Sequence, residues 1–85
     1  WDIEFDESER VSVSKRLAEA LPSTLAGKPV ETIDTQDGFR FGLKGGYWAM
    51  VRFSGTEPLL RIYAEADSPD TVNDLLTEAR SMTGI

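Results

Sequence analysis

Between Arg52 and Arg61 the sequence reads Arg-Phe-Ser-Gly-Thr-Glu-Pro-Leu-Leu-Arg, the one stretch whose residue types converge on a single ligand class, a phosphate dianion. Gly55 permits a tight turn or a left-handed backbone in which consecutive N–H groups form an anion-binding nest, and Ser54 and Thr56 place hydroxyl donors beside it. Arg52 and Arg61 flank the segment, so a turn between them brings two planar guanidinium groups to one rim, where each can meet phosphate oxygens in bidentate fashion. Charge-assisted hydrogen bonds of this kind contribute about 1.5–3 kcal/mol each. A phosphate held by a few of them alone is bound weakly, since a millimolar dissociation constant already corresponds to about −4.1 kcal/mol. The same residues also suit a plain surface turn, with Ser54 and Gly55 for geometry, Pro58 for rigidity and the two arginines as cross-strand ion-pair partners. Glu57 favours the turn, because a carboxylate inside a phosphate cradle repels the ligand unless it pairs an arginine or faces a sugar hydroxyl. Covalent chemistry at Ser54 is poorly served: the chain has no His, and a lysine base would have to come from Lys28 or Lys44, neither with a feature that would activate it.

Composition narrows the field further. The chain has 85 residues, with 9 Lys and Arg against 15 Asp and Glu, and a net charge of −6, a balance that disfavours nonspecific attraction to nucleic acid or to an anionic membrane. Within that acidic whole, residues 40–61 hold Arg40, Lys44, Arg52 and Arg61 against Glu57 alone, while acids crowd into residues 1–9 and 65–78. Such a basic stretch also fits an ordinary solvated strand face. Zero Cys and zero His exclude disulfides, thiolate chemistry, a Ser-His-Asp triad and the usual zinc sites. With 40% hydrophobic and 28% charged residues, the composition is that of a soluble globular fold, one domain over 1–85 without an apolar run long enough for a transmembrane helix. The opening Trp1-Asp2-Ile3-Glu4 lacks Met and the basic and apolar stretches of a signal peptide. We therefore expect a piece of a longer protein, and a Cys-free chain suits a cytoplasmic location.

The elements that must position the 52–61 segment follow from periodicity. Trp1, Ile3 and Phe5 alternate with acids, which predicts a short half-buried strand. Asp6 and Glu9 have the spacing of a capping box, and Val13, Leu17, Ala20 and Leu21 then fall at helical spacing, giving a helix over roughly 8–21 that Pro22 stops. Residues 22–29 read as a connecting loop, Val30 to Thr35 as a β-branched strand, and Gln36-Asp37-Gly38 as a hairpin turn. Phe39, Phe41 and Leu43 alternate with polar or small residues, Gly45-Gly46 makes a second turn, and Tyr47 to Phe53 forms the strand that enters the phosphate-like segment. After it, Leu60, Ile62, Ala64 and Ala66 alternate with their neighbours and favour another strand; the Ser54…Glu57 spacing also fits a capping box, so a helix here competes. Ser68 as N-cap, Pro69 at N1 and Val72, Leu75, Leu76 and Ala79 at helical spacing predict a last helix over about 69–82, stopped by Gly84. The order β-α-β-β-β-β-α predicts an α+β fold, an antiparallel sheet with two helices on one face.

The string Arg52-Phe53-Ser54-Gly55-Thr56-Glu57-Pro58, followed by Arg61 and by Tyr63-Ala64-Glu65, resembles the phosphate-binding loop in the C-terminal domain of the α-D-phosphohexomutases, the phosphoglucomutase/phosphomannomutase family. Asp37-Gly38-Phe39-Arg40-Phe41 is similar to that domain's preceding hairpin, and the resemblance spans essentially all 85 residues. It implies a TATA-binding-protein-like fold and a parent enzyme of four domains around a cleft. There an active-site phosphoserine exchanges its phosphoryl group with a sugar phosphate through a sugar 1,6-bisphosphate, interconverting 1-phospho and 6-phospho sugars. On that resemblance, this domain grips the phosphate that is not being transferred, with Arg52, the Ser54 and Thr56 hydroxyls and the Gly55 and Thr56 amides, Arg61 as a further member and Glu57 as a sugar or arginine contact. The family's phosphoserine, magnesium and sugar-reading loops are absent from this sequence, so the implied partners are sugar phosphates and the other three domains. Magnesium and the bisphosphate then belong to the parent, and no catalytic residue, metal ligand or cofactor is assigned here. Phe53 stands where phosphoglucosamine mutases often have Pro, which points to the glucose/mannose branch. Two other classes compete: an RNA-recognition module, from Lys44-Gly45-Gly46-Tyr47 and Val51-Arg52-Phe53, and an interaction domain with Trp1 or Trp48 as anchor. The first has its second helix in the wrong place and the charge of the wrong sign. For Trp48, Tyr47, Phe53 and most of Phe5, Phe39 and Phe41 the reading from pattern is core.

Overall fold

A computed structural model describes residues 1–85. Strand β1 (Asp2–Glu4) leads through a 3₁₀ turn (Glu7–Glu9) into helix α1 (Arg10–Ala20). Then come β2 (Thr24–Leu25), β3 (Lys28–Asp34), β4 (Phe39–Leu43), β5 (Trp48–Phe53), β6 (Leu59–Glu65) and α2 (Pro69–Thr83). The six strands form one antiparallel sheet in the order β1-β6-β5-β4-β3-β2, so β5 and β6, which carry the two arginines, lie at its interior. The α+β class, the antiparallel sheet and the pair of helices are as the sequence implies.

The side chains facing the helices are the apolar half of each strand's alternation. Val51, Leu60 and Ile62 bury against Val13 and Leu17 of α1 and Ala79 of α2, and beside them Phe41, Leu43 and Ala49 bury against Leu25 and Leu75. Each such fully buried aliphatic side chain contributes about 1.5–3 kcal/mol relative to exposure. The opposite face is open, with Arg40, Trp48, Met50, Arg52, Arg61, Tyr63 and Glu65 in matching register. Trp48 therefore does not support the core: its Nε1–H donates to Glu65 Oε2 at 2.8 Å and the Arg40 guanidinium stacks 5.1 Å from its ring centroid. No helix is long and apolar enough to cross a membrane.

Three local features depart from the pattern reading. Residues 22–29 are not all loop: Thr24–Leu25 pairs with Lys28–Pro29, and Ala26 and Gly27 make the turn with φ of 50° and 75°. Glu78 accepts the Ala26 N–H and holds that turn to α2. Helix α1 ends within the expected bound, at Ala20, but it is Leu21, whose φ of 36° makes a left-handed cap, that turns the chain before Pro22 does. Finally, Asp6 accepts from the Ser8 N–H and hydroxyl, so the Asp6/Glu9 box does not close; the first turn tightens to 3₁₀ and Glu7 pairs with Arg10 instead. At the other helix the expected cap is present, with Ser68 accepting from Thr71 N–H and Gly84 closing the end at φ 78°.

Candidate functional site

Where β5 turns into β6, Arg52 and Arg61 stand directly opposite one another in register, on the open face. Like charges so placed destabilise a ladder unless something neutralises them. Little in the chain does. Arg61 Nε is 3.9 Å from Asp2 Oδ1 with both side chains well exposed, a contact worth little at that distance and exposure. Arg52 has no ion-pair partner and no side-chain hydrogen bond. The expectation of cross-strand ion pairing is met only at Arg61, whose long contact is to Asp2 directly opposite it on β1; Arg52 has no such partner, and Glu57 is exposed and pairs with neither arginine.

The loop between them is held at its ends and open in its middle. Ser54 N–H donates to Leu59 O (2.9 Å), Leu59 N–H to Glu57 O (2.8 Å), and Phe5 N–H to Pro58 O (3.1 Å), so the loop is closed on itself and tied to the segment after β1. Thr56 N–H reaches Ser54 Oγ only at 3.5 Å, and the amides of Gly55 and Glu57 meet no protein acceptor. Ser54 is buried, whereas Gly55 and Thr56 are exposed. Gly55 is not among the glycines with positive φ, so of the two conformations the sequence allowed the left-handed one is not adopted. What Gly55 supplies is room: a Cβ built there meets no atom within 4 Å.

Arg52, Phe53, Ser54, Gly55, Thr56, Arg61 and Tyr63 line one cavity of about 230 Å³. Five of the six residues proposed from sequence thus come together, and Glu57 does not. Phe53, read as core, and Tyr63 are the two lining residues that pattern reading did not name; of these Tyr63 lies on the open face. The signal was present, because in a strand residues i and i+2 share a face and Tyr63 follows Arg61 at that spacing. A larger cavity of about 460 Å³ lies by the start of α2, lined by residues such as Ala66, Pro69, Val72 and Leu76. It has no arginine or lysine, and the convergent cationic and hydroxyl donors are all at the smaller one.

Two supports fix the site's geometry. Gly38, at φ 122°, lies so close to β5 that a Cβ there would stand 2.7 Å from Val51 O and 3.2 Å from Arg52 Cα; the β3–β4 turn therefore backs Arg52 directly. On the helix side the Phe53 ring packs against Phe5 at 5.6 Å, and the Arg10 guanidinium stacks on Phe53 at 4.9 Å and on Phe5 at 5.5 Å. Glu7 grips Arg10 through two hydrogen bonds of 2.6 and 3.0 Å. Hydrogen bonding to Arg10 holds the Glu7 carboxyl below its usual range. No group of three or more His, Cys, Asp or Glu side chains is placed to hold a metal ion.

Comparison with known proteins bears on the same residues. Residues 3–82 match the family described as "Phosphoglucomutase/phosphomannomutase, C-terminal domain". Among curated proteins, the chain is 45% identical over 58 residues to a "Probable phosphoglucosamine mutase" of Methanopyrus kandleri, covering 68% of the chain and 13% of that protein. It is 36% identical over 72 residues to a "Phosphopentomutase" of Thermococcus kodakarensis, with 85% and 16% covered. It is 39% identical over 70 residues to a "Phosphoglucomutase/phosphomannomutase" of the same organism, with 82% and 14% covered. The matched part is thus about one seventh of each relative's length.

Proposed function

The chain belongs to the phosphoglucomutase/phosphomannomutase family as its C-terminal domain, and from that premise we propose that it holds the phosphate of a sugar phosphate while another part of the parent enzyme does the chemistry. The observation that carries the proposal is the opposed, largely unneutralised pair Arg52 and Arg61, which shares one small cavity with Ser54, Gly55 and Thr56. An anion seated there removes the repulsion of the pair and supplies acceptors to hydroxyls and amides that have none. In the parent, a mutase of glucose or mannose type, the gripped phosphate is the one not in transfer, and the bisphosphate intermediate presents its two ends in turn. A grip that reads phosphate without reading the sugar accepts both. Relatives named for amino-sugar, pentose and hexose phosphates match this chain at similar identity, as such a grip would allow.

On this reading the chain's own residues bind and orient, and the making and breaking of bonds falls to the parent's other domains. Magnesium, which would neutralise charge on the phosphoryl group in transfer, is proposed to lie with the phosphoserine in the other domains. The partners proposed are sugar phosphates and those domains, in the cytoplasm, with neither nucleic acid nor membrane.

The test is an amide-resolved NMR titration with glucose 1-phosphate, glucose 6-phosphate and inorganic phosphate, with a short single-stranded RNA as control. Shifts confined to the cavity segment, residues 52–63, in the same loop amides for all three phosphates and with equal affinity for the two sugar phosphates, support the reading. Silence in that loop, or RNA shifts spread across the sheet, overturns it.

A further inference from the structure

Tyr63 belongs to the cavity but is not at the loop. On β6 it lies two residues beyond Arg61, about 6.6 Å along the strand at 3.3 Å per residue, on the side away from residues 54–56. The cavity therefore has the loop hydroxyls and amides as one wall, the arginine pair as its floor and Tyr63 as the far wall. A volume of about 230 Å³ matches roughly seven or eight waters at about 30 Å³ each, more than the five heavy atoms of a phosphate group occupy. Tyr63 is 40% exposed, its hydroxyl makes no hydrogen bond within the chain, and it opposes Met50, so nothing in the fold requires its ring to be aromatic or polar.

We propose that the Tyr63 ring is a platform for the organic group esterified to the gripped phosphate, so that the site selects phosphate monoesters with a carbon ring over small phosphates. This rests on the phosphate reading of the same cavity. With the phosphate drawn to the loop wall, its ester oxygen and the first carbons of the sugar cross the arginine floor and meet the far wall. There an aromatic face covers C–H bonds without reading the direction of any hydroxyl. Selection by this wall is blind to sugar stereochemistry and to which end of the sugar is gripped, yet it distinguishes a sugar phosphate from a bare one.

The experiment titrates the 85-residue chain and its Tyr63→Ala and Tyr63→Phe variants with methyl phosphate and with glucose 6-phosphate, monoesters of like charge that differ in the ring. Aromatic contacts of about 0.5–1.5 kcal/mol translate to roughly 2- to 12-fold in affinity. The expected result is glucose 6-phosphate binding tighter than methyl phosphate by about that factor. Tyr63→Ala removes the difference by weakening only the sugar ester, and Tyr63→Phe keeps it. Equal affinities in the parent chain, equal weakening of both ligands in Tyr63→Ala, or loss of the preference in Tyr63→Phe each overturn the platform while leaving the phosphate site standing. If neither ligand moves residues 52–61, the phosphate reading falls and the platform with it.

Discussion

Replacing Arg52 by alanine separates binding from folding, because the fold gains almost nothing from this side chain. Arg52 is exposed, has no partner and directly faces Arg61. Removing one of two opposed like charges relieves about 0.2–1 kcal/mol, offset in part by loss of its alkyl stem's packing on the sheet. The net change is expected within about 0.5 kcal/mol, as for most surface substitutions, or within about 4 °C of Tm for a domain of this size. For the ligand the loss is larger. A charge-assisted hydrogen bond of about 1.5–3 kcal/mol corresponds to roughly 10- to 150-fold in affinity, which moves a millimolar site beyond practical detection. The assay is a pair of thermal melts with and without glucose 6-phosphate. At ten times Kd the ligand stabilises the parent chain by about 1.4 kcal/mol, or roughly 6–11 °C at about 4–8 °C per kcal/mol, whereas Arg52→Ala shows no such rise. The reasoning is refuted if Arg52→Ala alone lowers Tm by more than about 8 °C, which would make the arginine structural, or if the ligand-induced rise survives.

Glycine replacements on either side of the site should part company. Gly55→Ala meets no atom and needs no left-handed backbone, so its melting curve should match the parent's to within about 0.5 kcal/mol, and in the titration any weakening of phosphate binding then reports on the cavity wall and not on folding. Gly38→Ala is strained at φ 122° and presses on Val51 O and Arg52 Cα. A loss of about 1–3 kcal/mol in urea unfolding, together with weaker phosphate binding, is the expected outcome. Glu7→Gln tests the brace behind Phe53. The Glu7 carboxyl is held below its ordinary value of 4.5 by hydrogen bonding to Arg10; its contribution is therefore complete above that value and is lost as pH falls through the lowered one. Tm against pH should lose part of its acid slope in Glu7→Gln, with no change in slope well above that range.

What the sequence made legible was whatever depended on period and on strong local chemistry. Alternation placed β4, β5 and β6, and it decided rightly against a helix after Ser54, since Leu60 and Ile62 bury on one face while Arg61 and Tyr63 stay on the other. Asp37-Gly38 announced its turn through a residue free to take φ 122°. Ala26-Gly27 gave no such notice, because the first position of that turn is an alanine forced to φ 50° by tertiary contact, including Glu78 on the Ala26 N–H. Leu21 likewise takes a left-handed cap that no propensity favours. At the site, the residue types were readable and the reason for them was not. Gly55 left a tight turn and a left-handed backbone open, and only the structure shows that φ is not positive; the direct opposition of Arg52 and Arg61 depended on register, which two strands joined by a five-residue turn do not reveal until their pairing is known.

Weakness is consistent with the proposed task. On the proposed reading, a grip of two arginines, two hydroxyls and a few amides would be weak, and a short tether to the parent's other domains would supply an effective concentration in the millimolar range. Grip and tether would then be matched, so that in the proposed parent the domain would spend comparable time on and off a phosphate held by the other domains. A tighter grip would add uniform binding and no rate, and it would oppose the release that an intermediate needs in order to turn round. The largely unneutralised arginine pair fits this balance: its repulsion raises the energy of the empty site by tenths of a kcal/mol to about 1 kcal/mol, favouring capture, while the solvent-exposed positions of Arg52, Gly55 and Thr56 leave their contacts, though not that of buried Ser54, open to exchange with water.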